Sequence, residues 1–248
     1  MLTEQTNQRL QAMRLGAMAL AWHEQQKDPK VGKLSFDERF SLLVDAEHLA
    51  RDNRRLRRLL KGAELRFDDA CLENVEISAA RGLPRETLSQ LTSGVWLPEH
   101  LNVLITGKTG VGKSYLACAL GQFACRRGRR VLYRRVPRLF NELALAKAEG
   151  SYHRHLAKLA KVDVLILDDF GLGAPLKDAP RHDLLEVLED RCGLSSTVIT
   201  SQLQIGHWHE WIGDPTLADA ILDRVVHSAY KLTFTGPSRR KEKYAKKS

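Results

Sequence analysis

The sequence predicts an α/β protein in which helices cover both faces of a parallel sheet, preceded by a small all-helical domain. From about residue 66 onward, apolar runs of strand length alternate with amphipathic stretches of helix length. The runs LNVLITG (101–107) and VDVLILDDF (162–170) are almost continuously apolar, as is typical of strands buried on both faces. Before that point the periodicity is helical. We therefore expect two domains, 1–66 and 67–248.

Two helices are expected in the first domain. Residues 1–28 carry apolar positions at alternating steps of three and four, and Asp28-Pro29 then breaks the pattern. A second helix should begin at Ser35, which forms a capping box with Glu38, and should end near Gly62, a favoured C-terminal cap. At 100° per residue this helix carries an apolar stripe and an opposite basic face. The stripe comprises Leu42, Ala46, Leu49, Leu56 and Leu60, and the basic face comprises Arg51, Arg54, Arg55 and Arg58, flanked by Arg57 and Lys61.

The second domain alternates strands and helices along the chain. Strands are expected at 101–107, 130–136, 162–170 and 196–202, and helices at 115–128, 138–149 and 182–193, with a further helix carrying ILDRVV (221–226). This βαβ order predicts parallel strands. A basic tail, GPSRRKEKYAKKS, closes the sequence.

The composition narrows the class of partner without naming one. The formal net charge of +9 favours an anionic partner, whether nucleic acid, an acidic membrane surface or polyphosphate. No apolar run approaches the roughly 20 residues that span a bilayer, and the N-terminus lacks the apolar segment of a signal peptide. The four cysteines show no metal-ligand spacing and are too few for a disulfide scaffold. A cytoplasmic protein with no membrane partner is expected.

The stretch GKTGVGKS (107–114) fits the phosphate-binding motif G-x-x-x-x-G-K-[ST] in full and lies between a predicted strand and a predicted helix. Its glycines let backbone amides turn towards an anion, and the helix N-terminus adds partial positive charge. Lys113 should reach the β- and γ-phosphates, and the Ser114 hydroxyl should ligate Mg²⁺. ATP and Mg²⁺ are the expected cofactors. The nucleotide-binding residues are Gly107, Lys108, Thr109, Gly110, Val111, Gly112, Lys113, Ser114 and the following Tyr115.

Two adjacent acids follow the buried run VLIL. Asp168 should emerge at the carboxyl end of its strand, where ligands bind in open α/β sheets, and should hold the Mg²⁺ complex. Asp169 can orient and deprotonate a water molecule, as a nucleotide hydrolase requires. The alternative for Asp169 is a residue that only caps a turn.

At two further positions, the residues alone do not decide between a catalytic role and a structural one. STVITSQ ends in polar side chains, so Thr200, Ser201 or Gln202 could sense the γ-phosphate or position the water, or simply mark a strand end. Arg224 lies in the apolar frame of ILDRVV on a helix. It could be an ordinary surface arginine, or an arginine finger that stabilises transition-state charge in a neighbouring subunit.

The order of these motifs resembles that of a known family. A helical N-terminal region precedes RGLPRETLSQL, LITGKTGVGKSYLA, VLILDDFG, TVITSQ, ILDRVV and GPSRR. This resembles the AAA+ ATPases of the DnaC/IstB branch, and within it the IstB-type helper ATPases of bacterial insertion sequences. The resemblance covers nearly the whole chain. It implies a P-loop AAA+ sheet and a Mg²⁺-dependent ATPase stimulated by DNA and by assembly.

The resemblance also implies roles for individual residues. Asp168 and Asp169 would be the Walker B acids, Arg224 the arginine finger, and Gln202 the first sensor, with Ser201 next. The G-x-S-x-R pattern of GPSRR falls on Arg240 as second sensor, although Arg239 is adjacent. Two features depart from the general AAA+ pattern. Walker B has Asp-Asp in place of Asp-Glu, and too few residues follow Arg224 for a full C-terminal lid domain.

The same resemblance implies the partners. The family assembles on target duplex DNA and assists a transposase, so a homo-oligomer through the ATP site, double-stranded DNA and the transposase of the same element are expected. The DNA-binding candidates are Arg51, Arg54, Arg55, Arg58 and Lys61, and RRGRRVLYRR (126–135) and the basic tail are competing surfaces. The alternatives are a DnaC-type helicase loader acting on single strands and, less consistent with Asp168-Asp169, a P-loop kinase of a small metabolite.

Overall fold

A computed structural model describes residues 2–75 and 82–238 of the chain. The chain divides into two compact units, Met1–Arg58 and Leu59–Ser248, termed here the N-terminal and C-terminal units. The division lies inside a helix and not after residue 66. The physical reason is that Ala63 is fully buried and Glu64 pairs with Arg134 at 2.8 Å, so the end of that helix packs within the C-terminal unit.

Three helices occupy the N-terminal part of the chain, α1 (Leu2–Ala12), α2 (Gly16–Gln25) and α3 (Phe36–Ala63). The prediction of one continuous helix over residues 1–28 was wrong, because the chain turns at Arg14, whose φ is 60°. The carboxylate of Glu47 on α3 accepts hydrogen bonds from the backbone N–H groups of Ala17 (2.9 Å) and Met18 (3.2 Å). A distant side chain thus caps a new helix at this point.

Helix α3 begins as predicted and ends differently. The Ser35 N–H donates to Glu38 Oε2 at 2.8 Å and the Glu38 N–H donates to Ser35 Oγ at 3.3 Å, which confirms the capping box. The bond from the Ser35 backbone holds the pKa of Glu38 below its ordinary value. The predicted cap at Gly62 was wrong. The helix continues to Ala63, and Glu64 makes the left-handed turn (φ 52°) with its carboxylate on Arg134.

The apolar stripe predicted on α3 is only partly covered. Leu42 and Leu49 are 48% and 63% exposed, and Ala46, Leu56 and Leu60 are half-buried, whereas Glu47, on the opposite side, is 4% exposed. Helix α2 lies against that opposite side, through the Glu47 bonds and a 2.9 Å bond from Gln25 Nε2 to the Arg39 carbonyl. At Glu47, burial therefore follows polar contacts that the apolar periodicity did not predict.

The C-terminal unit is the predicted parallel α/β sheet. Among the described residues, its five strands are all parallel, in the order β2-β3-β4-β1-β5. The elements in chain order are α4 (Arg85–Ser93), β1 (Asn102–Gly107), α5 (Lys113–Arg126), β2 (Val131–Arg135), α6 (Val136–Ala148), α7 (Tyr152–Ala160), β3 (Val164–Phe170), α8 (Asp178–Glu189), β4 (Ser196–Ser201), α9 (Trp208–Ile212), α10 (Pro215–Val226) and β5 (Ala229–Phe234).

Edge strand β5 and helices α4, α7 and α9 were not predicted. Strand β5 has the mixed sequence AYKLTF and buries only Leu232 and Phe234, as expected of an edge strand with one covered face. The central strands are buried except at Asp169 and were predicted from their apolar runs. Within the described ranges, no helix combines the length and apolar character needed to cross a membrane.

The sheet brings the motif-bearing strand ends together. Strand β1 lies between β4 and β5, with Thr106 opposite Ser201, and Arg135 at the end of β2 lies opposite Asp168. Because all the strands are parallel, their carboxyl ends meet at one edge, where the loop after β1 also lies.

Candidate nucleotide site

The loop Gly107–Ser114 has a backbone that only glycine adopts readily. Gly107, Gly110 and Gly112 have φ values of 143°, 85° and 112°. A Cβ on Gly110 would lie 2.1 Å from Ser238 Oγ, and one on Gly107 would lie 2.4 Å from the Phe234 carbonyl oxygen. The loop is therefore a concavity that side chains would fill.

Helix α5 begins at Lys113, and the lysine side chain turns back into the loop. Its Nζ donates to the carbonyl oxygens of Gly107 (2.7 Å) and Lys108 (2.9 Å). Val111 is buried and anchors the loop, and the ring of Tyr115 packs 5.9 Å from that of Phe67. An ammonium group, a helix N-terminus and a glycine-formed concavity suit a polyphosphate, so the loop fits the phosphates of ATP.

Asp168 is fully buried and accepts contacts from four side chains. Its Oδ1 accepts from Ser114 Oγ at 2.7 Å and from the Thr200 hydroxyl. Its Oδ2 accepts from Tyr133 OH at 2.6 Å and lies 3.5 Å from Arg66 Nη1. Burial, reinforced by the bond to Asp168, raises the pKa of Tyr133 well above its ordinary value, so the phenol remains a donor. The Ser114 hydroxyl and the Asp168 carboxylate are the hard oxygen ligands that Mg²⁺ prefers.

Asp169 is held in an unusual conformation beside Asp168. Its φ is 61°, and the β3–β4 register shifts between Leu167 and Phe170 around it. Its N–H donates to Thr200 Oγ1 at 3.3 Å, and its carboxylate accepts from Arg135 Nε at 2.8 Å. The bulge turns the second acid away from the strand ladder, and Arg135 pairs with it. The sequence marked Arg135 only as part of a basic stretch.

The three polar residues at the end of β4 have separate contacts. Thr200 contacts Asp168 and Asp169, as described above. Ser201 Oγ donates to the Phe170 carbonyl (2.7 Å) and accepts from the Leu203 N–H (3.0 Å), so its hydroxyl joins backbone groups. Gln202 Oε1 accepts from Thr109 Oγ1 at 2.7 Å and so lies beside the loop. Thr200 is therefore the residue of the three that orders both acids.

Arg224 is not brought to this site. Its Nε donates to Glu189 and its Nη1 to the Ala220 carbonyl (2.6 Å), and the Glu189 bond raises its pKa. Its carbonyl accepts from Asn102 Nδ2 at 3.2 Å, and Asn102 is the first residue of β1. Lys113 follows the other end of that strand, so about 16 Å of strand separates the two positions. Arg239 and Arg240 lie outside the described residues.

The arginines of 126–135 are engaged within the C-terminal unit. Arg127 donates to the carbonyls of Ser93 and Thr92 at the end of α4. The other five lie within 4 Å of carboxylates: Arg126 pairs with Glu73, Arg129 and Arg130 with Asp163, Arg134 with Glu64 and Glu142, and Arg135 with Asp169. On α3, Arg51 and Arg54 likewise pair with a carboxylate, that of Glu47, and the side chains of Arg51, Arg54, Arg55, Arg58 and Lys61 are all exposed. Both basic stretches therefore remain candidates for binding an external anion.

Comparison with known proteins agrees with this site. The family model of the IstB-like ATP-binding proteins matches residues 8–247. A Sinorhizobium fredii protein named as an insertion-sequence ATP-binding protein is 48% identical over 246 residues, covering 99% of this chain and 100% of its own. The ATP-binding protein of insertion sequence IS1162 from Pseudomonas fluorescens is 51% identical over 203 residues, covering 82% of this chain and 87% of its own.

Two solved structures share the fold of most of this chain. DnaI is 26% identical with a TM-score of 0.57, covering 74% of this chain and 93% of that chain. The DnaC helicase loader is 21% identical with a TM-score of 0.55, covering 67% of this chain and 97% of that chain, and shows likeness of fold alone. With the match over nearly its whole length, the chain belongs to the family of IstB-like ATP-binding proteins of insertion sequences.

Proposed function

We propose that this protein is an ATPase that assembles on target duplex DNA and assists the transposase of its insertion sequence, acting in the cytoplasm. The observation that carries the proposal is the position of Arg224 at the opposite end of β1 from the phosphate loop. An arginine that cannot reach its own loop can serve a neighbour's, which makes ATP a link between subunits. The names of the relatives, which place them in insertion sequences, support the transposition role.

Within one subunit, the residues Gly107 to Ser114 and Tyr115 would bind ATP, with Lys113 on the β- and γ-phosphates. Ser114 and Asp168, already 2.7 Å apart, would hold Mg²⁺. When held there, Mg²⁺ would supply positive charge that stabilises the charge developing in phosphoryl transfer. Tyr133 and Thr200 orient the Asp168 carboxylate through their hydrogen bonds.

Asp169 would orient the attacking water and accept its proton. In the structure its carboxylate is paired with Arg135, so this pair has to open or shift before Asp169 can act as a base. Gln202 would be the first sensor that responds to the γ-phosphate, and its hydrogen bond with Thr109 of the loop supports this role. The Ser201 hydroxyl, bonded to backbone groups, is the weaker candidate.

Assembly would complete the site. Arg224 of one subunit would leave Glu189 and stabilise transition-state charge at the next subunit's phosphates, and Arg240 would supply the second sensor. Each added subunit repeats the basic face of α3. Because every phosphate contact adds to a salt-dependent total, an oligomer binds duplex DNA much more tightly than one subunit. Arg51, Arg54, Arg55, Arg58 and Lys61 are the proposed contacts.

DNA binding with and without ATP tests the proposal directly. We expect labelled duplex to be bound in large particles in the presence of ATP, with particle mass recorded alongside, and without sequence preference. Lys113→Ala should abolish ATP binding and with it the particles. A protein that forms no ATP-dependent particles on duplex, under conditions where it binds ATP, would contradict the proposal.

A helicase loader is the second candidate, because the same fold occurs in the DnaC helicase loader. Binding confined to single-stranded oligonucleotides, together with capture of the host replicative helicase in a pulldown, would support the loader. Preference for duplex and no helicase capture would support the transposition helper.

A further inference from the structure

An open groove in the N-terminal unit is rich in arginine. It has a volume of about 590 Å³ and is lined by Gln11, Met13, Arg14, Gly16, Arg51 and Arg54. Arg14 lies at the turn between α1 and α2, and Arg51 and Arg54 come from α3. All three arginines are exposed, so their guanidinium groups are accessible to a ligand from solution.

Buried Glu47 orders two of these arginines. Its Oε1 accepts from Arg51 Nε at 2.9 Å and from Arg54 Nη2 at 3.1 Å, while its Oε2 accepts from the start of α2. The bond from Arg51 is the main cause that holds the pKa of Glu47 below its ordinary value, so Glu47 is ionised at neutral pH. A guanidinium carries five N–H donors, and each of these contacts engages one nitrogen. Both arginines are oriented while they retain donors for a ligand.

The charge of the groove is positive. Three arginines oppose one carboxylate, so the groove has a formal net charge of +2. Arg14 contributes the third cation from a position with φ of 60°, and its N–H donates to the Gln11 carbonyl at 2.9 Å. Gln11 adds a neutral amide to the same lining. Guanidinium groups arranged around an open cavity are suited to bidentate recognition of a phosphate oxygen pair.

We propose that this groove binds a backbone phosphate of the DNA, with Arg14, Arg51 and Arg54 as its ligands. The proposal rests on the proposed duplex-DNA function and deepens it, because it adds Arg14 to the contacts and separates Arg51 and Arg54 from the rest of the basic face. Arg55 and Arg58 do not line the groove. They contribute general electrostatic attraction, whereas the groove holds one phosphate in place.

The test compares Arg14→Gln with Arg57→Gln as a matched control. Arg57 is an exposed arginine of α3 that does not line the groove. Duplex affinity is measured in ATP over a series of salt concentrations. We expect Arg14→Gln to reduce the slope of log affinity against log salt by about one per subunit bound, and Arg57→Gln to change it much less. Arg14→Lys, which keeps the charge, should restore most of the slope.

Two outcomes would contradict phosphate binding in the groove while leaving the proposed function intact. One is an unchanged salt slope in Arg14→Gln. The other is an equal reduction of the salt slope in the Arg14 and Arg57 variants. If Arg14→Gln abolishes thermal stabilisation by inorganic phosphate but leaves the DNA slope unchanged, the groove binds a free anion and not DNA. If the wild type binds ATP but no duplex at all, the proposed function itself fails. Equal melting temperatures of the two variants and the wild type would show that each protein is folded.

Discussion

At the scale of single residues, Thr200 connects the two acids of the site. Its hydroxyl donates to Asp168 Oδ1 and accepts the N–H of Asp169, whose φ of 61° is otherwise unfavourable for a residue with a side chain. One hydroxyl therefore orients the carboxylate that we propose holds Mg²⁺ and fixes the backbone of the proposed base. A hydrogen bond from Tyr133 and an ion pair with Arg66 hold the other oxygen of Asp168.

We expect Thr200→Val, which keeps the shape and removes the hydroxyl, to lower kcat for ATP hydrolysis by about 10- to 100-fold, because Asp169 loses its fixed position. Affinity for ATP should change little, since Lys113 and the glycine loop are untouched. Steady-state hydrolysis and titration with a fluorescent ATP analogue measure the two effects separately. A variant with normal kcat would show that Thr200 has no positioning role.

At the scale of elements, helix α2 begins where it does because of a side chain on α3. Glu47 is the buried residue that accepts the N–H groups of Ala17 and Met18, while Leu42 and Leu49 of the apolar stripe remain exposed. The first backbone N–H groups of a helix have no partner within the helix, so they need an acceptor from elsewhere in the chain when the local sequence supplies none. Leu15, the residue before α2, makes no capping side-chain bond.

Glu47→Gln should lower the free energy of unfolding of the N-terminal helices by about 1–2 kcal/mol, as loss of a helix cap does. The pKa of Glu47 is lowered in the fold, so its contribution is complete above the unfolded pKa and is lost as pH falls through the folded value. Chemical unfolding followed by circular dichroism at neutral and acidic pH measures both effects. Asp45→Asn, an exposed change on the same helix, is the control, and equal loss in both variants would count against the cap.

At the scale of the whole molecule, we propose that the subunit carries two incomplete parts of one catalytic site. The phosphate loop, Asp168 and Asp169 lie at the carboxyl edge of the sheet, and Arg224 lies near the start of β1 with Glu189 as its partner. Glu189 holds the guanidinium in a defined place in the separate subunit. A neighbour's phosphates would replace Glu189 as the anionic partner when the subunits assemble.

A mixing experiment tests this division. Lys113→Ala and Arg224→Ala should each lack ATP turnover alone, and Arg224→Ala should still bind ATP. Mixed in equal amounts on DNA, they should recover turnover, because about a quarter of the interfaces then join an intact loop to an intact Arg224. Mixed particles that form at normal mass and remain inactive would refute the shared site.

The phosphate loop, the buried strands and the Asp168-Asp169 pair were evident from local patterns. A motif of eight consecutive residues and an apolar run of strand length each express an interaction between near neighbours in the chain.

The partners Thr200, Tyr133 and Arg66 of Asp168 were not predictable, because they come from β4, β2 and the segment after α3. The same is true of Arg135 beside Asp169, of the break at Arg14 and of edge strand β5. Each depends on contacts between distant segments, and such contacts exist only once the parallel sheet and the helix pair have formed.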